Sequence, residues 1–342
     1  VEEIQALTKN DGFPRQEIAL LYRSNPQSRV LESRLFNAGI PYRVYGGLRF
    51  FERAEIKHAL AYLRLLENPQ DDTSFLRVVN FPARGIGARS IEALQEEARQ
   101  AGCSLLDATT LVSGAAGAKL RSFHALIDVM REAVAGQSLR HTIEHVLHAS
   151  GLQEHYRADK EGQERLENLD ELINAAESFV LQEGFGKDAI ALPLDETASA
   201  APAALTQSPA SQGIDPRLPL LNQPLAGTDA DTGETLSPLQ AFLVHAALEA
   251  GDNQAQAGQD AVQLMTVLAS KGLEFDAVFI GGLEEGLFPH DNSSSDRDGL
   301  EEERRLMYVA ITRARKRLYL SHAQSRMLQG RTSYNLPSRI LD

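Results

Sequence analysis

Val262-Gln-Leu-Met-Thr-Val-Leu-Ala-Ser-Lys-Gly-Leu-Glu-Phe-Asp-Ala-Val-Phe-Ile280 decides the fold. Val262 to Val267 and Asp276 to Ile280 are short apolar runs, each the length of a buried strand. Ala269 to Phe275 is a polar connection between them, turning at Lys271-Gly272. Downstream, Leu300 to Ala314 has helical spacing and Arg317 to Ser321 reads as a further strand. Upstream, Glu17-Ile-Ala-Leu-Leu-Tyr22 is another buried strand. Arg29 to Ala38 places Val30, Leu31, Leu35 and Phe36 on one helical face. Gly39 and Pro41 stop that helix, and Tyr42 to Tyr45 reads as a strand ending at Gly46-Gly47. Strands alternating with helices at both ends of the chain predict an α/β unit.

The middle of the chain has a different character. Ile56 to Leu66 is apolar at helical spacing, and most of the stretch to Phe179 reads as successive helices. Pro82, Gly85, Gly87, Gly114, Gly117 and Gly151 mark the breaks. Residues 191–258 are rich in Ala, Pro, Gln, Ser, Thr and Asp, and Ala198-Ser-Ala-Ala-Pro-Ala-Ala204 is low in complexity. Such a segment offers little apolar surface to offset ordering entropy, so much of it is expected to be mobile. Pro238 to Ala250 is expected to be helical within it. The organisation predicted is one domain inserted in another, with 1–46 and 259–342 forming the α/β part and 47–258 the mostly helical insertion.

With 342 residues, two domains are the natural expectation. No run approaches the length of a membrane span and Val1 to Asn10 carries no secretory signal, so the cytoplasm is the expected compartment. One cysteine, Cys103, excludes an internal disulfide framework. Val1 is not Met, and the chain is expected to be a piece of a longer protein. The net charge of −13 argues against a nucleic-acid partner only if it is spread evenly. It is not: Asp188 to Val262 holds ten acids and one base, leaving 33 bases and 37 acids elsewhere.

Several stretches carry chemistry, each with a plainer alternative. Lys271 and Gly272 can offer a cation and backbone N–H groups to phosphates, and Glu274 can accept from a ribose hydroxyl. Equally, they form a solvated connection. In Glu301 to Arg315, Leu306, Val309, Ala310 and Ala314 form an apolar stripe, and Glu301 and Arg305 form an i,i+4 pair. Arg313 either offsets the helix dipole or reaches a phosphate as an arginine finger. Tyr22 to Arg29 offers Arg, Asn, Gln and Ser at a strand end, suited to phosphates or to capping, with Ser24, Asn25 or Ser28 as the cap. Phe81-Pro-Ala-Arg-Gly-Ile-Gly-Ala-Arg89 is either an interhelix turn or a hairpin whose glycines admit a DNA phosphate. His141-Thr-Ile-Glu-His145 has a zinc-enzyme spacing on an apolar helix with no third ligand, and is not read as a metal site. Gly184-Phe-Gly-Lys187 lacks the full phosphate-loop pattern, and no other segment supplies it.

Together these blocks resemble the UvrD/PcrA/Rep family of superfamily 1 DNA helicases, and the UvrD and PcrA members more than Rep. Thr266 to Phe275 with Gly286-Leu-Phe-Pro-His290 is similar to motif V, and Glu302 to Arg315 to motif VI. Tyr22 to Arg29 and Gly46 to Ile56 are similar to family blocks at the second motor domain and its junction. The resemblance implies a RecA-like parallel-sheet domain interrupted by a helical DNA-contacting one. It implies an ATP-dependent 3'-5' DNA helicase, acting in repair with possible repair-protein partners. The Walker loop and magnesium ligands would lie on an N-terminal motor half, so this chain alone is expected to lack ATPase activity.

By the same resemblance, Arg313 would touch the γ-phosphate and Glu274 the ribose, Lys271 and Gly272 would belong to the same ATP site, and Lys271 would help link that cleft to the DNA path. Arg23, Asn25, Arg49 and His290 would line the single-strand path. Arg84, Gly85, Ile86, Gly87 and Arg89 would contact duplex at a single-strand–duplex junction. Leu268 stands where the family carries a His, which puts a DNA-side hydrogen bond in question. That favours the alternative of a non-catalytic DNA-binding or protein-docking module on the same fold.

Overall fold

The computed structural model describes residues 1–186, 189–192, 236–251, 258–294, 297–328 and 331–341. The chain begins with α1 (Glu2–Lys9), β1 (Ile18–Tyr22), α2 (Ser28–Asn37) and β2 (Tyr42–Val44). A run of helices follows: α3 (Ala54–Glu67), α4 (Asp72–Val78), α5 (Ala88–Ala101), α6 (Leu105–Ala108), α7 (Gly114–Val134), α8 (Leu139–Ala149), α9 (Leu152–Ala158), α10 (Gln163–Gln182) and α11 (Pro238–Ala250). The α/β pattern then resumes with β3 (Val262–Thr266), β4 (Phe275–Ile280), α12 (Asp291–Ser294), α13 (Arg297–Ile311) and β5 (Ala314–Leu320). A small antiparallel hairpin, β6 (Ser325–Leu328) and β7 (Arg331–Tyr334), ends it. No helix among the described residues is long and apolar enough to cross a membrane.

The main sheet has the order β2-β3-β1-β4-β5, with every pair parallel. Parallel strands lie buried between helical layers, which is why β1 reads as an unbroken apolar run. Its side chains still alternate. Ile18 and Tyr22 pack with Leu35 of α2 and Leu264 on one face, while Ala19 and Leu21 pack with Met307 and Ala310 of α13 on the other. This is an α/β sheet of the RecA-like kind. β3 and β4 are consecutive in sequence but not neighbours, because β1 lies between them. The polar segment 267–274 is therefore a short crossover rather than a turn between paired strands.

Two helices differ in detail from their expected faces. On α2 the buried positions are Ser28, Arg29, Glu32 and Leu35, and Val30 is exposed. α13 stops at Ile311, so Ala314 belongs to β5, and the buried stripe is Glu303, Met307 and Ala310. Leu306 and Val309 flank that stripe. Its surface ion pairs are Glu301–Arg304 and Glu302–Arg305, at i,i+3 rather than i,i+4. Polar atoms displace apolar ones from both faces because each helix is also tied to other elements.

The helical part has its own core, running from Phe50 to Ala246. α11 belongs to it through Leu239, Phe242, Leu243 and Ala246. Pro238 in the first turn and a reciprocal Ser237–Gln240 capping box start that helix. The rest of the stretch expected to be mobile (193–235 and 252–257) lies outside the described residues, as does Lys187.

Between the two cores is a buried polar joint. The Arg53 guanidinium donates to Ser28 Oγ at 2.7 Å, Asn168 Oδ1 at 2.8 Å and the Asn25 carbonyl at 3.1 Å. Glu32 accepts from Ser28 Oγ at 2.6 Å and from the Phe50 N–H at 3.1 Å. Burial pushes the Glu32 carboxyl above its ordinary range, while those hydrogen bonds act against the rise. Arg29 pairs with Glu171 of α10 at 2.5 Å. Groups this deep are tolerated because each is hydrogen-bonded or ion-paired.

Replacing Arg53 by Ala removes donors from these three acceptors and from the Leu48 carbonyl, and is expected to cost about 2–4 kcal/mol, read as a lower urea midpoint. Glu52 is held below its ordinary carboxylate range by its hydrogen bonds from Arg49. A depressed folded value means that its stabilisation is complete above the unfolded value and is lost as pH falls through the folded one. Glu52→Gln should therefore flatten the acid limb of the stability–pH curve. Parallel limbs for the two proteins would show that Glu52 contributes nothing there.

Candidate functional site

At the edge where β4 and β5 begin, the Phe275 N–H bonds to the Arg313 carbonyl, bringing Glu274 and Arg313 together. Arg313 lies in the turn after α13. Its Nε donates to the Val309 carbonyl at 3.0 Å, Nη1 to the Leu273 carbonyl at 2.8 Å and Nη2 to Thr312 Oγ1 at 3.0 Å. A guanidinium has five N–H groups, so these three fix its plane and leave two for a ligand. Thr312 and Leu273 are thus part of the site, though the sequence reading passed over them. Lys271, Gly272 and Glu274 are exposed on the crossover leading to this edge. Neither Lys271 nor Glu274 makes a side-chain hydrogen bond or ion pair among the described residues. Gly272 has φ +87° with open space where a Cβ would stand, so the backbone there is accessible. One fixed cation, one free cation, a free carboxylate and open backbone fit a nucleotide's phosphates and ribose.

The opposite edge, where the strands end, carries the residues expected along a DNA path. Two of the arginines expected there already have partners within the chain. Arg23 is clamped by Glu303 of α13, with contacts at 3.1, 2.9 and 2.7 Å. Arg49 is only 3% exposed and grips Glu52 and the carbonyls of Glu249, Ala250 and Gly251. Its donors fasten the end of α11 to the junction and do not line an open groove. Asn25 Nδ2 donates to Glu164 Oε1 at 2.6 Å, and His290 Nε2 lies 3.8 Å from Glu167 Oε1. Asn25 thus touches α10 directly, while His290 and Glu167 line a cavity of about 500 Å³. Gln27, read only as one polar residue among several, is the organiser of this turn. Its Oε1 accepts from the N–H groups of Arg23 and Ser24, both at 2.9 Å. The Ser-x-x-Gln spacing at the start of a helix was the available signal.

The third set lies in the helical part, between α4 and α5. Gly85 adopts φ +70° and Gly87 is the N-cap of α5, which no side chain caps. Asn80 Oδ1 shapes this hairpin by accepting from the N–H groups of Arg84 at 2.8 Å and Ile86 at 3.1 Å. Its signal was that of an Asn just before a Pro-containing turn. Ile86 is buried and anchors the hairpin in the helical core. Arg84 is also internal: it donates to Tyr62 Oη at 2.7 Å and to the Ser150 carbonyl at 2.9 Å, and lies over the Phe123 ring. It staples the hairpin, and its guanidinium does not reach out to a phosphate. Arg89 is exposed. Lys119 of α7, absent from the expected set, donates to the Gly85 carbonyl at 3.0 Å. Behind the turn, His58 stacks on Phe81 at 3.8 Å, and burial drives its pKa down to about 4, leaving it neutral near pH 7. The exposed hairpin thus offers N–H groups, Arg89 and Lys119.

The UvrD-like helicase C-terminal domain family model matches residues 1–325. The chain is 41% identical over 341 residues to DNA helicase II of Escherichia coli (strain K12), covering 97% of this chain and 41% of that protein. It is 38% identical over 332 residues to the ATP-dependent DNA helicase PcrA of Bacillus subtilis (strain 168), covering 95% and 39%. To PcrA of Leuconostoc citreum it is 35% identical over 349 residues, covering 100% and 41%. The chain spans about two fifths of the length of these curated relatives. With its parallel sheet, its helical insertion and a match over nearly its whole length, the chain belongs to the UvrD-like helicase C-terminal domain family.

Proposed function

We propose that this chain is the second motor half of an ATP-dependent 3'-5' DNA helicase, a cytoplasmic enzyme of DNA repair. In this reading 1–46 and 259–342 form the RecA-like motor part, and 47–258 is the inserted part that grips duplex at a junction with single strand. The observation that carries it is Arg313. Its plane is fixed by three hydrogen bonds and its remaining donors have no partner among the described residues, beside an exposed Lys271 and Glu274. Such a guanidinium stabilises charge on a phosphate held by a second domain.

ATP and magnesium would be held mainly by an N-terminal half. Bound ATP supplies the phosphoryl bond whose cleavage drives movement. This chain contributes Arg313 toward the terminal phosphate, Glu274 toward the ribose, and Lys271 with Gly272 between the cleft and the strand path. Arg23, Asn25 and His290 face that path. The hairpin at Gly85 and Gly87, with Arg89 and Lys119, meets the duplex backbone. A second reading, a non-catalytic docking module, draws on Leu268, an apolar residue 70% exposed in the crossover.

The purified chain is expected to show no ATP turnover. Mixed with the N-terminal motor half of a relative, it should restore DNA-dependent hydrolysis, and Arg313→Ala should lower that rate by about 10³-fold. Turnover by the chain alone would overturn the division of labour. A silent mixture would favour the docking module. For the hairpin, a labelled duplex with a 3' single-stranded tail should bind more tightly than single strand alone. Gly85→Val, which strains a positive φ, and Asn80→Ala, which frees the turn, should each weaken junction binding roughly 10-fold. Equal affinity in both variants would remove the hairpin from the DNA contact.

A further inference from the structure

Glu303 is 1% exposed, and among the described residues its one side-chain partner is Arg23. Arg23 is different: its side chain keeps 26% of its surface open. The Arg23 side chain is thus partly open to solvent, while the Glu303 carboxylate is closed to it. The two residues also belong to different elements. Arg23 directly follows β1, at the edge where the strands end, and Glu303 lies midway along α13. The same helix ends at Ile311, just before Arg313 at the edge where β4 and β5 begin, and Arg313 Nε is fastened to it through the Val309 carbonyl. Glu303 and Ile311, the last residue of α13, are eight positions apart, roughly 12 Å along the helix axis. α13 is therefore a rigid rod with one end of each edge attached.

We propose that Glu303 is a positioning residue that couples the two edges, so that a nucleic-acid phosphate engaging Arg23 shifts α13 and with it Arg313. A phosphate that takes Arg23's forked donors competes with Glu303 for them. A buried carboxylate stripped of its only cation is strongly disfavoured, so the helix carrying it moves until the charge is paired or hydrated. Arg313 moves with the rod. The ligand chemistry is the phosphodiester of a single strand, and the inference rests on the strand-path reading given under Proposed function.

The test uses the chain itself, with Cys103→Ser and Tyr308→Cys, the new thiol carrying an environment-sensitive fluorophore on the exposed face of α13. Titration with oligothymidylate should change the emission. A nucleotide triphosphate analogue without strand serves as the second arm and should leave it unchanged. In Glu303→Gln, which matches the carboxylate in shape but no longer competes as an anion, strand affinity should hold or rise while the emission change at equal occupancy falls at least fivefold. A merely structural Glu303 would lower the melting temperature and leave the response at equal occupancy intact, and that result overturns the inference. So does a response to the analogue alone as large as that to the strand. Should Glu303→Gln lose its cooperative melting, Glu303→Asp replaces it: a diminished response supports the coupling and an undiminished one overturns it. If the wild-type chain binds no strand, the strand-path reading fails and the inference with it. Binding with an unaltered response in the variant removes the inference alone.

Discussion

Tyr42, Arg43 and Val44 run beside Val262, Gln263 and Leu264 in a parallel ladder, and the rest of the molecule depends on that short pairing. It holds the strand leading into the helical insertion next to the strand returning from it. Adjacent strands lie about 4.8 Å apart and this parallel pair is short, so an insertion of more than two hundred residues leaves and re-enters the sheet within about one short strand's length. The sheet can then close as though the insertion were a surface loop, since the entropic cost of closing a loop grows only slowly with its length. The buried joint of Arg53, Ser28, Glu32 and Asn168 adds direction to that attachment. Two strands alone would leave the insertion free to swing. A set of fully partnered polar groups gives it one preferred seat, which can be exchanged for another only if every partner is replaced.

The arginines show how placement decides role. Arg313, Arg23, Arg49 and Arg84 are alike as residues, yet they differ in how many donors remain. Arg49 and Arg84 have theirs engaged by internal oxygens and act as rivets. Arg313 is held by carbonyls and a hydroxyl, which orient the guanidinium without neutralising it. It is therefore the cation with both fixed geometry and unspent charge, the combination that electrostatic stabilisation of a developing anion needs.

Much of the fold was legible because local patterning and burial agree here. The strands at Ile18, Tyr42, Val262 and Phe275 and the helix Pro238–Ala250 follow from apolar runs, periodicity and stop signals. Strand order was not legible, since nothing within β3 or β4 records that β1 lies between them. Nor were the arginine partners. Arg23 meets a carboxylate 280 positions away and Arg49 a carbonyl 201 positions away. A sequence displays the charge of a side chain and conceals what quenches it. Residues that serve through their own backbone or hydroxyl, such as Leu273 and Thr312, carry no chemical flag at all. Asn80 and Gln27 did carry one, in their turn and capping positions, but the charged neighbours drew the functional reading first.

The carboxylates set against the cations have an electrochemical consequence. A free arginine on a protein surface is attended by mobile ions, and a polyanion that binds it gains by returning its own condensed counterions to bulk solvent. Arg23 and Arg29 are instead attended by Glu303 and Glu171, which are covalently part of the molecule and cannot leave. A phosphate arriving at either one exchanges one fixed anion for another and must repel or displace the first. Its gain from dilution is partly offset, and added electrolyte screens the resident carboxylate as well as the newcomer. A strand seated on this edge would therefore lose affinity less steeply with ionic strength than its number of phosphate contacts implies, and the slope would count open cations rather than contacts.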